Sequence, residues 1–271
     1  MAKTVLVTGA SAGIGKATAV YLAENGYNVY GAARRTDKLD DLKTYGIKPV
    51  ALDVTKEESI SSCINTIFEE AGRIDVLINN AGFGSYGAIE DVSMDDARYQ
   101  LEVNVFGAMR LTQLVLPKMR HNKFGKIVNI SSVGGKSSFP LGGWYHASKF
   151  AMEALSDAIR REVKQFGVDV IIIEPGGIKS EWGSIAFESL KRVSGATAYK
   201  KMAEGVENFF MAAGEDIPEP IVIAKLIKEG IEAKRPKARY SGGYMATPSL
   251  FMARFIPDKL QDKIIASQIK L

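Results

Sequence analysis

Short apolar runs rich in β-branched residues alternate along the chain with longer stretches whose hydrophobic residues recur at helical spacing. The strands predicted from these runs span residues 4–7, 28–32, 49–52, 76–79, 125–130 and 169–174. The helices predicted between them span residues 15–24, 38–45, 57–71, 94–120 and 145–166. Runs such as 125–130 are apolar on both faces, as strands buried in a parallel sheet are. The alternation predicts right-handed βαβ units and an α/β fold with a doubly wound parallel sheet.

The pattern changes after Pro175. Amphipathic helices are predicted at residues 187–193, 199–213 and 221–233, with a last strand at 239–243 and a helical stripe in the tail 257–271. We interpret residues 1–271 as one domain, with a core of alternating strands and helices at 1–180, a variable cap at 181–250 and a C-terminal helix at 251–271. The apolar segment 244–257 could cover a substrate, form a subunit contact or rest on a membrane surface.

The composition narrows the functional classes. A chain of 271 residues with 46% hydrophobic and 24% charged residues is typical of a globular domain rather than a disordered protein. The net charge of +4 is spread along the chain and gives no basis for nucleic-acid binding. No apolar run is long enough for a signal peptide or a membrane span, so we expect a cytoplasmic protein.

The single cysteine and the two histidines predict no metal site. Cys63 excludes an internal disulfide and lies on a predicted helix face, which favours a packing role. His121 and His146 are too far from Cys63 in the sequence to suggest a zinc site, so we expect them to face solvent or to be hydrogen-bonded.

A glycine-rich turn, TGASAGIG, follows the first predicted strand and opens a helix. Gly9, Gly13 and Gly15 would let a dinucleotide pyrophosphate approach the backbone at the helix N-terminus, as in the Rossmann fold. Their Gly-x-x-x-Gly-x-Gly spacing differs from the more familiar Gly-x-Gly-x-x-Gly, and a tight turn without a ligand could also use it.

The end of the second strand indicates which dinucleotide is bound. It reads Gly31-Ala-Ala-Arg-Arg35, with no carboxylate before Asp37 to accept hydrogen bonds from an adenosine ribose. Arg34 and Arg35 could instead bind a 2′-phosphate through charge-assisted hydrogen bonds, which favours NADP(H) over NAD(H). The alternative is a pair of solvated surface arginines.

The stretch WYHASK places Tyr145 and Lys149 four residues apart at the start of a predicted helix, and therefore on one face. One interpretation is a surface aromatic beside a solvated lysine. The other is a phenol that exchanges its proton, with a pKa that the nearby cation lowers.

Together these residues resemble the short-chain dehydrogenase/reductase family over about residues 3–180. Further motifs carry the resemblance: LDV at 52–54, NNAG at 79–82, NISS at 129–132 and PGGIKS at 175–180, the last with Ser180 where threonine is commoner. Ser132 lies 13 residues before Tyr145, which is the family's spacing. The resemblance implies NADP(H) contacts at Gly9, Ser11, Gly13, Ile14, Gly15, Arg34, Arg35, Asp53, Val54, Asn80, Ala81, Gly82, Tyr145, Lys149, Pro175, Gly176, Ile178 and Ser180.

The resemblance also implies catalytic roles. Tyr145 would be the acid/base, and Lys149 its electrostatic partner and a ligand of the nicotinamide ribose. Ser132, with Ser131 as the nearby alternative, would hold the substrate oxygen. Asn104 would anchor a water chain from Lys149 to solvent, or alternatively would only cap or kink its helix.

The substrate is expected to be a hydrophobic carbonyl or alcohol, such as a steroid, a retinoid, or a lipid-derived or xenobiotic ketone. Apolar residues that could line its pocket are Phe83, Phe139, Leu141, Trp144, Trp182 and Phe187, although each could instead serve packing. The resemblance implies a homodimer or homotetramer. Rival functions are a non-catalytic NADP(H) redox sensor that acts through a protein partner, and an epimerase or dehydratase of the extended type, which usually needs a larger C-terminal domain.

Overall fold

A seven-stranded parallel sheet forms the centre of the computed structural model, which describes residues 2–212 and 214–269. The strand order is β3-β2-β1-β4-β5-β6-β7, and each neighbouring pair is parallel. The strands are β1 (Thr4–Thr8), β2 (Asn28–Ala33), β3 (Lys48–Ala51), β4 (Val76–Asn79), β5 (Gly125–Ile130), β6 (Val168–Pro175) and β7 (Arg239–Gly242). The predicted doubly wound sheet is confirmed.

Helices cover both faces of this sheet. They are α1 (Gly13–Glu24), α2 (Glu57–Ala71), α3 (Met94–Leu101), α4 (Gly107–His121), α5 (Gly143–Val163), α6 (Glu181–Ser194), α7 (Lys200–Met211), α8 (Ile221–Glu232), α9 (Ala246–Phe255) and α10 (Asp258–Gln268). Short 3₁₀ segments lie at Val133–Gly135, Lys164–Phe166 and Gly214–Asp216.

The period of two along β1 explains the two core layers. Val5 and Val7 point to the side of α1 and α8, and Leu6 points to the side of α2 and α4. All three side chains are fully buried, as expected for a central parallel strand.

Two predicted α-helices have a different geometry. Residues 38–45 belong to a 3₁₀ helix, Thr36–Tyr45, in which only Leu39 and Leu42 are buried. Their spacing of three residues suits a helix with three residues per turn. The predicted helix 94–120 is interrupted between α3 and α4 by a π-helical turn, Glu102–Phe106.

The region after β6 divides between the sheet and a cap. Helix α8 packs on α1 and β6, and β7 extends the sheet, so both belong to the core rather than to the expected cap 181–250. The cap consists of α6 and α7, whose apolar sides meet Ile265 and Ile269 of the chain's tail. The predicted helices 199–213 and 257–271 end on residues outside the described part.

The apolar segment 244–257 forms α9, a helix that the sequence pattern did not predict. Phe251 and Phe255 are 57% and 61% exposed, and their ring centroids lie 5.0 Å apart. These rings face solvent rather than the site described below. Within the described residues, no helix combines the length and apolar character that a membrane crossing requires.

Candidate active site

The carboxyl ends of the parallel strands bring the predicted motifs to one edge of the sheet. The glycine turn follows β1, the arginines follow β2, and NNAG and NISS end β4 and β5. Strands β1 and β4 are neighbours at the point where the strand order reverses. Ligands of open α/β sheets bind at such a switch point.

The glycine turn is packed too closely for side chains. Gly9 and Gly13 have φ angles of +67° and +53°, in the left-handed region that favours glycine. A Cβ atom on Gly15 would overlap the carbonyl oxygen of Gly9. Ala12 precedes α1 and cannot cap it through its side chain, so the first-turn amides suit an external anion. The turn therefore fits a dinucleotide pyrophosphate.

The PGGIKS segment runs beside this turn. Ser180 lies closest to the space that a Cβ on Gly13 would fill, and its hydroxyl caps α6 by accepting from the Trp182 amide at 3.4 Å. Gly176 is joined to the end of β7 by a bond from its amide to the Gly242 carbonyl. Pro175 and Ile178 belong to the same segment. The Pro175 carbonyl lies 3.4 Å from the Ser132 hydroxyl, which donates to it.

Arg34 and Arg35 leave the end of β2 with exposed guanidinium groups. Arg34 donates to the Tyr99 hydroxyl at 2.8 Å. Arg35 donates to the Ser11 hydroxyl at 3.3 Å and to Glu181 at 3.1 Å. The structure thus joins Arg35 to the glycine turn, whereas Arg34 is joined to α3.

The side chains of Asp53 and Asn80 form hydrogen bonds with neighbouring residues. Asp53 accepts from the amide and hydroxyl of Thr55, and these bonds help to lower the pKa of its carboxyl against the effect of burial. Asn80 donates to the Thr8 carbonyl at 2.9 Å and so holds β4 to the glycine turn. The other expected contacts in these motifs, at Val54, Ala81 and Gly82, lie on the same edge of the sheet.

Ser132, Tyr145 and Lys149 come together beyond β5. The Ser132 hydroxyl lies near enough to the Tyr145 phenol to influence its pKa, and it accepts from the Gly134 amide at 3.0 Å. The Lys149 ammonium donates to the Ile130 carbonyl at 2.9 Å and lies 5.8 Å from the centroid of the Tyr145 ring. The hydroxyl of Ser131, the alternative serine, is buried and has no hydrogen-bond partner among the described residues.

The pKa of Tyr145 is raised, whereas the sequence pattern predicts that the nearby cation lowers it. Burial raises the pKa of Tyr145 to about 12, although the nearby Ser132 hydroxyl acts in the opposite direction. Burial lowers the pKa of Lys149 to about 8, while the nearby Glu153 acts to raise it. The phenol is therefore protonated at neutral pH, because its removal from water disfavours the charged form.

Asn104 lies in the π-helical turn and is buried. Its carbonyl oxygen accepts from the Phe83 amide at 3.0 Å, and its amide donates to the Phe83 carbonyl and to the Ser148 hydroxyl. The turn brings this side chain between α5 and the NNAG segment. π-Turns inside helices frequently mark functional sites.

Two residues that the sequence did not single out for the site support it. His146 is buried, which excludes the solvent-facing alternative, and its Nδ1 lies 2.9 Å from the Gly134 carbonyl. It thereby fixes the loop that holds Ser132. Tyr86 stacks obliquely on Tyr145 with ring centroids 5.9 Å apart. No periodicity marks Tyr86, since it lies in a loop after β4.

Aromatic side chains surround Tyr145 on the side of the cap. The Trp182 ring lies 5.1 Å from the Tyr145 ring, and Phe139, Leu141 and Phe187 belong to the same apolar cluster. Phe83 instead packs against the Tyr99 ring and belongs to the core cluster on the side of α2 and α4. Trp144 also lies outside the cap cluster. The arrangement can position a carbonyl group beside a protonated phenol under an apolar cover.

Known proteins share this architecture. A family model described as short chain dehydrogenase matches residues 3–189. A short-chain dehydrogenase structure from Streptomyces avermitilis has 32% sequence identity and a TM-score of 0.81, covering 99% of this chain and 97% of its own.

Two curated relatives carry more specific names. The 3-ketodihydrosphingosine reductase of Bacteroides thetaiotaomicron is 42% identical over 64% of this chain and 62% of its own length. The NADPH-dependent 3-dehydrocapnine reductase of Ornithobacterium rhinotracheale is 35% identical over 98% of this chain and 96% of its own.

Proposed function

The chain belongs to the short-chain dehydrogenase family, and from this premise we propose that it transfers hydride between NADP(H) and the carbonyl or alcohol group of a hydrophobic substrate. The observation that carries the proposal is the meeting of Ser132, Tyr145 and Lys149 at the sheet edge that also holds the glycine turn. A protein that only sensed the cofactor would have no need for this set.

The residues of the sheet edge fit the cofactor. The glycine turn would hold the pyrophosphate, and Arg34 and Arg35 the 2′-phosphate. Asp53 would contact the adenine base and Asn80 a cofactor ribose. When bound, NADPH supplies the hydride. The name of the Ornithobacterium relative, which includes NADPH dependence, agrees with the arginine pair.

The protein's own part in the reaction is proton transfer at the substrate oxygen. In the reductive direction the Tyr145 hydroxyl donates its proton to the carbonyl oxygen, and the Ser132 hydroxyl holds that oxygen as negative charge develops. The cation of Lys149 stabilises the phenolate that remains. Asn104 keeps α5 and the NNAG segment in register through its bonds to Phe83 and Ser148.

The apolar cover over Tyr145 supports a lipid-derived ketone as the substrate. The cap residues Trp182, Phe187, Phe209 and Phe210 are largely carbon, and Phe139 stacks on Phe209 with centroids 5.2 Å apart. Burial of an aliphatic chain against such rings is favourable. The names of the two curated relatives, a 3-ketodihydrosphingosine reductase and a 3-dehydrocapnine reductase, favour the same class of substrate.

A turnover screen tests the proposal. We expect NADPH oxidation with hydrophobic ketones and aldehydes, including 3-ketodihydrosphingosine, and slower oxidation of NADH. Tyr145→Phe removes the donated proton, so kcat should fall by roughly a hundredfold or more while NADPH still binds.

Tyr45→Phe, on an exposed tyrosine, is the matched control and should leave turnover unchanged. If Tyr145→Phe keeps wild-type turnover, the phenol is not the acid. If the wild-type protein binds NADPH tightly but reduces no carbonyl of the panel, the redox-sensor alternative is favoured.

The assembly and location follow as expectations. We propose that the chain forms a homodimer or homotetramer in the cytoplasm, as the family resemblance suggests. Sedimentation analysis of the purified chain measures its oligomeric state.

A further inference from the structure

A carboxylate of the cap pairs with Arg35, one of the two arginines that we assign to the cofactor's 2′-phosphate, and with the neighbouring Lys38. Glu181, the first residue of α6, accepts from Arg35 at 3.1 Å and from Lys38 at 3.5 Å. The Arg35 guanidinium also reaches Ser11 of the glycine turn. Glu181 therefore joins the substrate cap to the end of β2 and to the glycine turn at once.

The residue next to Glu181 covers the reacting phenol. Trp182 packs on the ring of Tyr145, with centroids 5.1 Å apart, and meets the edge of Tyr86 at 5.8 Å. The hydroxyl of Ser180 caps the same helical turn through the Trp182 amide. A displacement of Glu181 would thus be passed directly to the ring that lies over Tyr145.

We propose that Glu181 is a specificity-determining residue, a latch that competes with the 2′-phosphate for Arg35 and Lys38 and whose release lifts Trp182 from Tyr145. The inference rests on the proposed NADP(H) function, and it adds a coupling between the adenosine end of the site and the substrate end. Only a cofactor that carries the 2′-phosphate would open the latch.

The charges favour the phosphate in this competition. The hydrogen bond from Arg35 lowers the pKa of the Glu181 carboxyl, so the latch is anionic at neutral pH. The Arg35 and Glu181 side chains are 47% and 49% exposed, and exposed ion pairs of this kind are weak. A phosphate with nearly two negative charges binds an arginine fork more strongly than one carboxylate oxygen does.

Binding of two adenosine probes tests the competition. The probes 2′,5′-ADP and 5′-AMP differ only in the 2′-phosphate, and calorimetry measures their affinities. Glu181→Gln should tighten 2′,5′-ADP binding by about threefold to fivefold, the size expected for loss of an exposed ion pair, and change 5′-AMP binding less.

Glu188→Gln removes the same charge from an exposed position of the same helix and should change neither affinity. If wild type prefers 2′,5′-ADP but Glu181→Gln leaves that preference unchanged, the latch is wrong and the proposed cofactor stands. If neither protein prefers 2′,5′-ADP, both the latch and the NADP(H) assignment are wrong.

Fluorescence tests the coupling. The chain has two tryptophans, so Trp144→Phe leaves Trp182 as the reporter beside Tyr145. We expect 2′,5′-ADP, but not 5′-AMP, to change the emission of Trp182. Adding Glu181→Gln should produce that change without any ligand. If neither 2′,5′-ADP nor Glu181→Gln changes the emission of Trp182, this ring is not lifted from Tyr145. Calorimetry, which does not need Trp144→Phe, tests the competition for Arg35 and Lys38 separately.

Discussion

Burial governs the protonation of the reacting phenol and of the lysine beside it. Tyr145 and Lys149 are 7% and 8% exposed, so each is disfavoured in its charged form. The result is a protonated phenol, with a pKa of about 12, beside an ammonium whose pKa is about 8. This arrangement suits an acid that gives its proton to a ketone, and of the two groups the lysine titrates nearer to neutrality.

This order of pKa values predicts the pH dependence of reduction. Burial lowers the pKa of Lys149 from 10.5 to about 8, so the cation is present below that pH and is lost as the pH rises through it. Tyr145 keeps its proton over this range. The kcat/KM for the ketone with NADPH should therefore fall as the pH rises through about 8.

Lys149→Arg provides the control, because a guanidinium keeps its charge at any accessible pH. Its residual activity should lack the fall seen in the wild-type protein. A wild-type profile that stays flat up to about pH 10, near the ordinary pKa of a lysine, would contradict the role of burial.

At the scale of elements, the strands and the regular α-helices that cover the sheet were predictable from the sequence, whereas the π-helical turn and α9 were not. The strands and the helices that cover the sheet follow from hydrophobic periodicity, and strand-end motifs meet because the sheet is parallel. The π-turn around Asn104 was not predictable, because a helix pattern does not record one extra residue per turn. Helix α9 was missed because Phe251 and Phe255 are both exposed and break the amphipathic pattern.

Side-chain contacts between elements that are distant in sequence could not be predicted from the sequence either. Tyr86 and Glu181 lie in segments with no motif, and only the folded chain brings them to Tyr145 and Arg35. The lowered pKa expected for Tyr145 had the wrong sign because the sequence shows the spacing to Lys149 but not the depth of burial.

The glycine turn offers a test at this scale. Gly15→Ala would place a Cβ against the carbonyl oxygen of Gly9 and the amide of Asn80. The Gly9 carbonyl is backbone, and the Asn80 side-chain amide is held by its bond to the Thr8 carbonyl. We therefore expect a loss of stability of roughly 2 kcal/mol or more, as for other overpacked sites, and loss of NADPH binding.

Gly183→Ala is the matched control within a helix. A Cβ there would meet only the Phe187 ring at an ordinary 3.8 Å. Because alanine is the better helix former, the change should raise stability by about 0.5–1 kcal/mol. Urea denaturation measures both variants, and equal effects would show that close packing does not govern the turn.

At the scale of the whole molecule, a buried ion network joins the last strands to the catalytic helix. Glu153 of α5 pairs with Lys136 at 2.7 Å and with Arg239 of β7 at 2.8 Å. Glu174 of β6 lies 3.4 Å from the same arginine. Both carboxyl groups are only 5% exposed. Two adjacent buried acids share the charge of two cations, so one of them is held close to protonation.

This network predicts a specific pH dependence of stability. Burial and the charge of Glu153 raise the pKa of Glu174 from 4.5 to about 7. The folded state therefore keeps a proton that the unfolded state releases between these values, so the contribution of Glu174 to stability is fully present below about 4.5 and is lost as the pH rises through about 7. Glu174→Gln mimics the protonated form and removes this decline. Compared with wild type, its free energy of unfolding should be similar at about pH 5 and greater at about pH 8 by on the order of 2 kcal/mol.

Urea denaturation of both proteins at the two pH values measures the difference, with the exposed Glu188→Gln as the control that should follow wild type. Parallel pH profiles for wild type and Glu174→Gln would show that the carboxyl group is charged in the folded protein. In that case the two cations, rather than burial, would dominate the network, and α5 would be tied to β6 and β7 by a fully ionised cluster.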